Sequence, residues 1–254
     1  MTPQISIQLY SVREQAAANY EATIQRIADM GFPCIEPAGF PGSSPAEAAK
    51  LFQTLGLKAP SCHDGLPVGD EKNRVIEDAL TIGAEVIFTS GPHGIDTLDA
   101  AKALAENYCE AAANAAQHGL QVGYHNHDWD LCLIGDTRAH KIFLENTPDT
   151  ILWEADTFWI AKAGLDPVAF LNDIGPRGKV LHFKDGIIDD SLQEGEPPFR
   201  PAGAGQVDLI AASKAATHAK YIAVEIDALT GDMMNAVQES YTWLTGKGIA
   251  SGNK

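Results

Sequence analysis

Basic residues are scarce in this sequence. It has 18 Lys and Arg against 34 Asp and Glu, which gives a formal net charge of −16 at pH 7 and a pI near 4.7. Duplex nucleic acid is normally bound through clustered Lys and Arg side chains that neutralise its phosphates. The sequence therefore disfavours a nucleic-acid partner, and its acidity indicates a well-solvated surface.

Paired cysteines and long apolar runs are also lacking. The four cysteines are scattered and form no C-x-x-C pair, which disfavours a thiolate zinc site and a disulfide framework. No segment approaches the ~18 apolar residues that a membrane helix needs, and the opening residues MTPQISIQLYSV contain no basic region followed by an apolar run. We therefore expect a cytoplasmic protein with no membrane partner.

Short apolar segments alternate with helix-length amphipathic segments along the chain. This alternation predicts repeated βα units around a parallel sheet, and eight such units can be counted. The predicted strands are Ile5–Val12, Cys34–Gly39, Lys58–Asp64, Glu85–Gly91, Gln121–His127, Ile151–Trp159, Val180–Asp185 and Tyr221–Asp227. The clearest predicted helices are Asn19–Met30, Pro45–Leu55, Leu98–His118 and Asp232–Thr245.

The number of units decides between two kinds of α/β protein. Eight units fit a closed barrel, and no G-x-G-x-x-G follows the first predicted strand to indicate a dinucleotide-binding open sheet. We predict a single α/β domain over residues 1–254, a (β/α)8 TIM barrel. Four glycines after predicted helices are expected to take left-handed conformations. They are Gly31, Gly56, Gly83 and Gly119. The aperiodic segment Gly186–Gln206 is predicted to be a loop over the active face.

Ionisable residues gather where the predicted strands end, which is the catalytic end of a barrel. The period of two along a strand assigns one set of these residues to the barrel interior. This inward set is His125, His127, Glu154, Asp156, His182, Lys184, Glu225 and Asp227, and His93 follows the fourth predicted strand. Inward acids and histidines at one depth are costly to bury unless a cation balances them. Carboxylate and imidazole donors suit Mn, Co, Zn or Mg. The alternative is a scaffolding network in which Asp156 and Glu225 pair with Lys184 and Arg13.

Six motifs occur in a characteristic order at the predicted strand ends and loops. They are QLYSVR (Gln8–Arg13), GYHNHDWD (Gly123–Asp130), DTFWIAKAGLDP (Asp156–Pro167), HFKD (His182–Asp185), GAGQVD (Gly203–Asp208) and VEID (Val224–Asp227). Together they resemble the motifs of the sugar phosphate isomerase/epimerase superfamily. These are xylose isomerase-like TIM barrels, which also include inosose dehydratases and endonuclease IV.

The resemblance implies one divalent ion, most often manganese, with magnesium, cobalt or zinc as alternatives. In the family the ion is held by an acid on strand five, an Asp on strand six, a His on strand seven and a Glu on strand eight. Asp156, His182 and Glu225 match the last three positions. Strand five departs from the pattern, because His125 and His127 stand where many relatives have Glu. We take His125 as the ligand and His127 as a nearby acid or base, and the reverse assignment stays open.

The resemblance also implies an isomerase or epimerase of a small sugar or keto-sugar. Such an enzyme abstracts a proton beside a carbonyl and passes through a metal-stabilised enediolate. The catalytic candidates are Glu225, His127 and Lys184. The substrate-binding candidates are His63, Glu36, Gln8, Arg13, Glu154 and Trp159, although several ketose epimerases have His at the position of Trp159. A hydro-lyase of a keto-inositol or 3-keto-sugar and a non-catalytic sugar-binding barrel are the alternatives. A homodimer or homotetramer is expected.

Overall fold

The computed structural model describes residues 2–91 and 95–254, so His93 lies outside the described residues. The strands are β1 (Gln4–Ile7), β2 (Ser61–His63), β3 (Val86–Ser90), β4 (Gln121–His125), β5 (Leu133–Ile134), β6 (Thr137–Arg138), β7 (Leu152–Asp156), β8 (Val180–His182), β9 (Asp185–Gly186), β10 (Phe199–Arg200) and β11 (Tyr221–Val224). The helices are α1 (Arg13–Ala18), α2 (Tyr20–Met30), α3 (Pro45–Leu55), α4 (Lys72–Ile82), α5 (Leu98–Ala116), α6 (Ala139–Glu145), α7 (Thr157–Lys162), α8 (Pro167–Ile174), α9 (Leu209–Ala215) and α10 (Met233–Gly246).

The main sheet is parallel and closes on itself. Its order is β1-β11-β8-β7-β4-β3-β2, with neighbouring strands parallel throughout. Residues 34–38 fill the gap between β1 and β2 through the bridges Gln8↔Glu36, Cys34↔Lys58 and Ala38↔His63. This segment supplies the eighth position, and the prediction of a (β/α)8 barrel is confirmed.

The barrel interior changes character from one end to the other. An apolar cluster of Val86, Phe88, Leu152 and Val180 fills the part near the strand starts. Gly123 lies against this cluster, and a Cβ there would come within 2.2 Å of Phe88 Cε1. The interior is thus tightly packed near the strand starts, and the buried polar side chains lie at the carboxyl ends of the strands.

The strands of the main sheet end one to five residues earlier in the structure than in the prediction, and in two of them a helical turn replaces the last predicted residues. The first ends at Ile7 and is followed by a 3-10 turn over Leu9–Val12, not by further strand. The sixth ends at Asp156, whose side chain accepts a hydrogen bond from the backbone N–H of Trp159 and caps α7. A carboxylate in this position starts a helix, so Trp159 lies on α7 rather than on a strand.

The predicted turns and loop are largely as expected. The four glycines named above have φ between 69° and 108°, which confirms their left-handed conformations. The segment Gly186–Gln206 is less irregular than predicted, because β9 and β10 pair as a short antiparallel ladder. No helix among the described residues is long and apolar enough to cross a lipid bilayer.

Candidate active site

The carboxyl ends of neighbouring strands bring together a cluster of buried ionisable side chains. We call it the acid–histidine cluster, and its members are Glu36, His63, His125, Glu154, Asp156, His182, Lys184 and Glu225. They come from residues 34–38, β2, β4, β7, and the ends of β8 and β11. All but His63 are at most 6% exposed. Every member is a sequence-predicted candidate, and the structure places them in mutual contact.

His182 lies at the centre of the cluster. Its Nδ1 is 2.9 Å from Glu225 Oε2, and its Nε2 is 2.7 Å from Glu36 Oε1 and 3.3 Å from Glu154 Oε2. Burial alone would lower the pKa of His182, but the three carboxylates raise it well above its usual value. In the metal-free protein His182 is therefore a cation that partly balances the surrounding acids.

Glu36 is braced from two sides. Gln8 Nε2 donates to Glu36 Oε1 at 2.9 Å, and the Ser61 hydroxyl donates to Glu36 Oε2. Burial raises the pKa of Glu36, although His182 opposes this. Gln8 and Glu36 are both fully buried. Gln8 holds Glu36 and Glu36 contacts His182, while the predicted contact of both residues with substrate stays a prediction. Ser61 was missed in the sequence, although its place two residues before His63 puts both on the inward face of β2.

Glu154 connects the other histidines. His63 Nε2 lies 2.6 Å and His125 Nδ1 lies 3.1 Å from Glu154 Oε2. Burial alone would raise the pKa of Glu154, but His182 and His63 lower it well below its usual value. Burial lowers the pKa of His125 to about 3, so this imidazole is neutral and retains a lone pair for a metal ion.

Lys184 contacts three acids. Its Nζ lies 2.8 Å from Glu225 Oε2, 2.8 Å from Asp227 and 3.3 Å from Asp156 Oδ2. Burial alone would lower the pKa of Lys184, but Asp156, Glu225 and Asp227 raise it. The ammonium group is thus permanently charged, as expected for a side chain that stabilises negative charge rather than one that accepts a proton.

Aromatic rings cover Lys184. The rings of Trp159 and Phe199 lie 5.4 Å and 5.1 Å from its Nζ, within the range of cation–π interactions. Phe199 belongs to Gly186–Gln206, so its ring places this loop beside the cluster. The sequence analysis missed Phe199, because its segment has no periodic pattern that would indicate its position.

The donor set suits a divalent metal ion. One donor atom from each of His125, Asp156, His182 and Glu225 lies within 4.8 Å of all the others, and an overlapping set consists of His63, His125, Glu154 and His182. Within the described residues, Asp156 Oδ2 and Glu154 Oε1 are buried without a hydrogen bond, although Asp156 Oδ2 lies 3.3 Å from the Lys184 ammonium. Burial raises the pKa of Asp156 to about 6 despite Lys184. Unsatisfied carboxylate oxygens next to imidazoles fit a cation such as manganese or zinc.

Besides Gln8 and Trp159, two further predicted residues lie beside the cluster instead of within it. His127 follows the end of β4, and its ring stacks on Trp129 at 4.2 Å and lies 5.1 Å from the ring of His125. Arg13 begins α1, where its guanidinium lies 4.1 Å above the Tyr10 ring and donates to the Tyr10 carbonyl. Among the described residues, Arg13 makes no hydrogen bond or ion pair with the cluster, so Asp156 and Glu225 pair with Lys184 but not with Arg13.

Asn126 lies between His125 and His127, directly after β4, and orients the neighbouring strand. Its Oδ1 accepts hydrogen bonds from Trp153 Nε1 at 3.0 Å and from the Asp156 backbone N–H at 3.2 Å. Both bonds reach from β4 to β7. They therefore determine the position of the Asp156 backbone relative to His125 on the neighbouring strand.

Comparison with known proteins agrees with the fold. A search of curated proteins found no match. A sugar phosphate isomerase/epimerase from Parabacteroides distasonis superposes with a TM-score of 0.77 at 20% identity, covering 99% of this chain and 96% of the other. The IOLI protein with a bound zinc atom superposes with a TM-score of 0.73 at 14% identity, covering 97% of this chain and 98% of the other. An L-ribulose 3-epimerase superposes with a TM-score of 0.72 at 17% identity, covering 97% of this chain and 94% of the other. At these identities the structural likeness shows the fold alone. The sequence profile of the xylose isomerase-like TIM barrels matches residues 24–246, and the chain belongs to that family.

Proposed function

We propose that this protein is a divalent-metal-dependent isomerase or epimerase of a small, uncharged sugar or keto-sugar. The observation that carries the proposal is the convergence of His125, Asp156, His182 and Glu225 to within 4.8 Å at the carboxyl end of the barrel. Two structural neighbours support it, one described as an L-ribulose 3-epimerase and one containing zinc. We propose manganese as the ion. When bound, it would polarise the substrate carbonyl as a Lewis acid.

Glu225 is suited to take the proton beside the carbonyl. It is 6% exposed, whereas Glu36, Glu154 and Asp156 are fully buried, so among the acids of the cluster it is the one that substrate reaches most easily. Burial alone would raise the pKa of Glu225, but Lys184 and His182 lower it well below its usual value, which keeps it ionised. An ionised carboxylate at the rim can act as a general base.

Lys184 and His127 complete the proton transfer. As the C–H electron pair moves toward the carbonyl, the Lys184 ammonium stabilises the negative charge that develops on oxygen. Return of a proton to the opposite face of the same carbon gives the epimer, and return to the neighbouring carbon gives the isomer. His127 is the proposed donor of that proton, because its side chain is 20% exposed and lies next to the cluster.

The charges around the site favour an uncharged substrate. Within the described chain, Lys184 is the one Lys or Arg in contact with the cluster, and three carboxylates already surround it. Arg13 is occupied by the Tyr10 ring and carbonyl. A phosphate group normally needs Arg or Lys side chains that are free to donate to it. The aromatic rings of Trp129 and Trp159 instead offer apolar surface to a sugar ring.

The reaction is tested by proton NMR of ketoses and keto-sugars in D2O with manganese-loaded protein. Deuterium incorporated beside the carbonyl without loss of water supports an isomerase or epimerase. Loss of a hydroxyl group identifies a hydro-lyase instead. Absence of exchange with every uncharged sugar would contradict the proposal and favour a non-catalytic barrel, and faster exchange of the phosphorylated counterparts would contradict the substrate charge.

Metal binding is tested without a substrate. Manganese at about 100 times its dissociation constant should raise the free energy of unfolding by about 2.7 kcal/mol. Asp156→Asn should remove most of this gain, because it takes one charge from the donor set. Asp70→Asn, at an exposed position, should keep it. Equal gains in both variants, measured by urea denaturation, would place the ion elsewhere.

Glu225→Gln tests the proposed base. The variant keeps the shape of the side chain, and we expect exchange to fall by roughly 10²- to 10⁴-fold. Circular dichroism should show an intact fold. Glu14→Gln, at an exposed position on α1, should exchange at the wild-type rate. Full exchange in Glu225→Gln would remove this residue from the mechanism.

A further inference from the structure

A small cavity lies behind the candidate site, between β4, β7, α5 and α6. Its lining is mostly apolar and includes Leu104, Phe143 and Trp153. The space open to the centre of a water-sized sphere is about 10 Å³. This is close to the smallest volume that holds one water molecule.

Three polar atoms of residues that line this cavity lack a well-formed hydrogen bond. Tyr124 Oη, Asp130 Oδ1 and His140 Nδ1 are buried without one in the part of the chain that the structure describes, although the Tyr124 hydroxyl lies close to the Asp130 carboxylate and the Gly91 backbone N–H. Their residues are 0%, 1% and 3% exposed. Each unsatisfied buried group costs about 1–3 kcal/mol. One water molecule, which makes two to four hydrogen bonds when buried, can satisfy all three.

Asp130 connects this cavity to the candidate site. Its other carboxylate oxygen, Oδ2, accepts the backbone N–H of His127 at 2.7 Å and lies 3.7 Å from His127 Nδ1. The His127 ring stacks on Trp129 on one side and lies 5.5 Å from the ring of Trp159. The same carboxylate thus faces the cavity with one oxygen and a proposed proton donor with the other.

We propose that the cavity binds one ordered water molecule and that Asp130, held by this water, is a positioning residue that orients His127. The water donates to Asp130 Oδ1 and fills the hydrogen-bonding capacity of Tyr124 and His140. With one oxygen fixed, the second holds a proton of His127 on Nδ1, so that Nε2 is the nitrogen that carries the proton given to substrate. The role in orienting His127 for proton transfer rests on the proposed function, whereas the water site does not.

The water site is tested by a crystal structure of the protein at about 1.5 Å resolution. We expect one density peak within hydrogen-bonding distance, roughly 2.7–3.2 Å, of Tyr124 Oη, Asp130 Oδ1 and His140 Nδ1. An empty cavity, or direct hydrogen bonds among the three side chains, would overturn the water site. A peak with the shorter distances and higher coordination of a metal ion would do the same.

The orienting role is tested by ¹⁵N NMR of the histidine rings, with the His127 signals assigned by their loss in His127→Gln. Wild-type protein should show His127 protonated at Nδ1, and Asp130→Asn should show a mixture of tautomers. Asp136→Asn, an exposed acid in the same segment, should match the wild type. A wild-type ring without a proton on Nδ1 would overturn the role even if Asp130→Asn does not fold.

The kinetic consequence is measured in the deuterium-exchange assay. Asp130→Asn should lower kcat by roughly 10- to 100-fold, as other orienting residues do, with KM changed less than threefold. An unchanged kcat would contradict the orienting role. If no sugar exchanges with the wild-type protein, the proposed function fails, and the crystal structure and the ring spectra still decide this proposal.

Discussion

At Lys184, one ammonium group contacts three carboxylates inside the protein. Asp156, Glu225 and Asp227 lie 2.8–3.3 Å from its Nζ, and Lys184 is 1% exposed. Replacing one partner of a buried ionic network leaves the others without their counter-charge. The stability of the metal-free protein should therefore depend strongly on this residue.

Lys184→Met should lower the free energy of unfolding by about 3–5 kcal/mol in metal-free protein. Lys141→Met is the matched control, because the Lys141 side chain is 51% exposed and lies 3.5 Å from Asp173. That surface pair should be worth about 0–1 kcal/mol. Urea denaturation measures both variants. Equal losses would show that Lys184 is not the counter-charge of the cluster.

Among the elements, the loop Gly186–Gln206 is held by one buried carboxylate. Asp185 Oδ2 accepts the backbone N–H groups of Gly203 at 2.9 Å and Gly205 at 3.0 Å, and its Oδ1 accepts that of Val207 at 3.0 Å. These bonds bring the end of the loop back to β9. They also hold the segment whose Phe199 ring covers Lys184.

Gly205→Ala should loosen this loop. A Cβ at Gly205 would lie 2.2 Å from Asp185 Oδ1 and 2.3 Å from the Gly186 backbone nitrogen, so the backbone must shift. Overpacking of this kind costs about 1–3 kcal/mol. Limited proteolysis within residues 186–206 should accelerate. Gly65→Ala, where no heavy atom lies within 4 Å of the added Cβ, should be cleaved at the wild-type rate. Similar cleavage rates in both variants would contradict the role of Asp185 in holding the loop.

For the whole molecule, a buried histidine makes stability depend on pH. His140 on α6 packs against Phe170, with its Nε2 3.6 Å from Asp173 Oδ2. Burial lowers the pKa of His140 from 6.5 to about 4, although Asp173 partly opposes this. Between these two values the unfolded chain binds a proton that the folded chain does not. Stability is therefore lost as the pH falls from about 6.5 toward 4.

His140→Gln should reduce this loss of stability between pH 7 and pH 4 by on the order of 2 kcal/mol. His218→Gln, at an exposed position, is the matched control. Urea denaturation at several pH values measures the effect. Parallel profiles for the wild type and His140→Gln would contradict the assignment.

The single domain, the cytoplasmic location and the homo-oligomer remain predictions.

The sequence by itself determined the barrel and the inward set of residues. Alternating apolar and amphipathic segments indicated eight βα units, because strands and helices bury their apolar side chains with different periods. The period of two then assigned His125, Asp156, His182 and Glu225 to the interior. Local rules suffice here, because the carboxyl ends of parallel strands meet at one edge and bring together residues far apart in the sequence.

Only the tertiary structure decided which groups touch. Three contacts join segments that no local pattern relates. They are the hydrogen bond from His182 to Glu36, the ring of Phe199 over Lys184 and the link from Asp130 to a cavity. Each depends on how loops return and how side chains pack between distant elements. Periodicity determines the face on which a residue lies, whereas its partners depend on distances that only the folded chain defines.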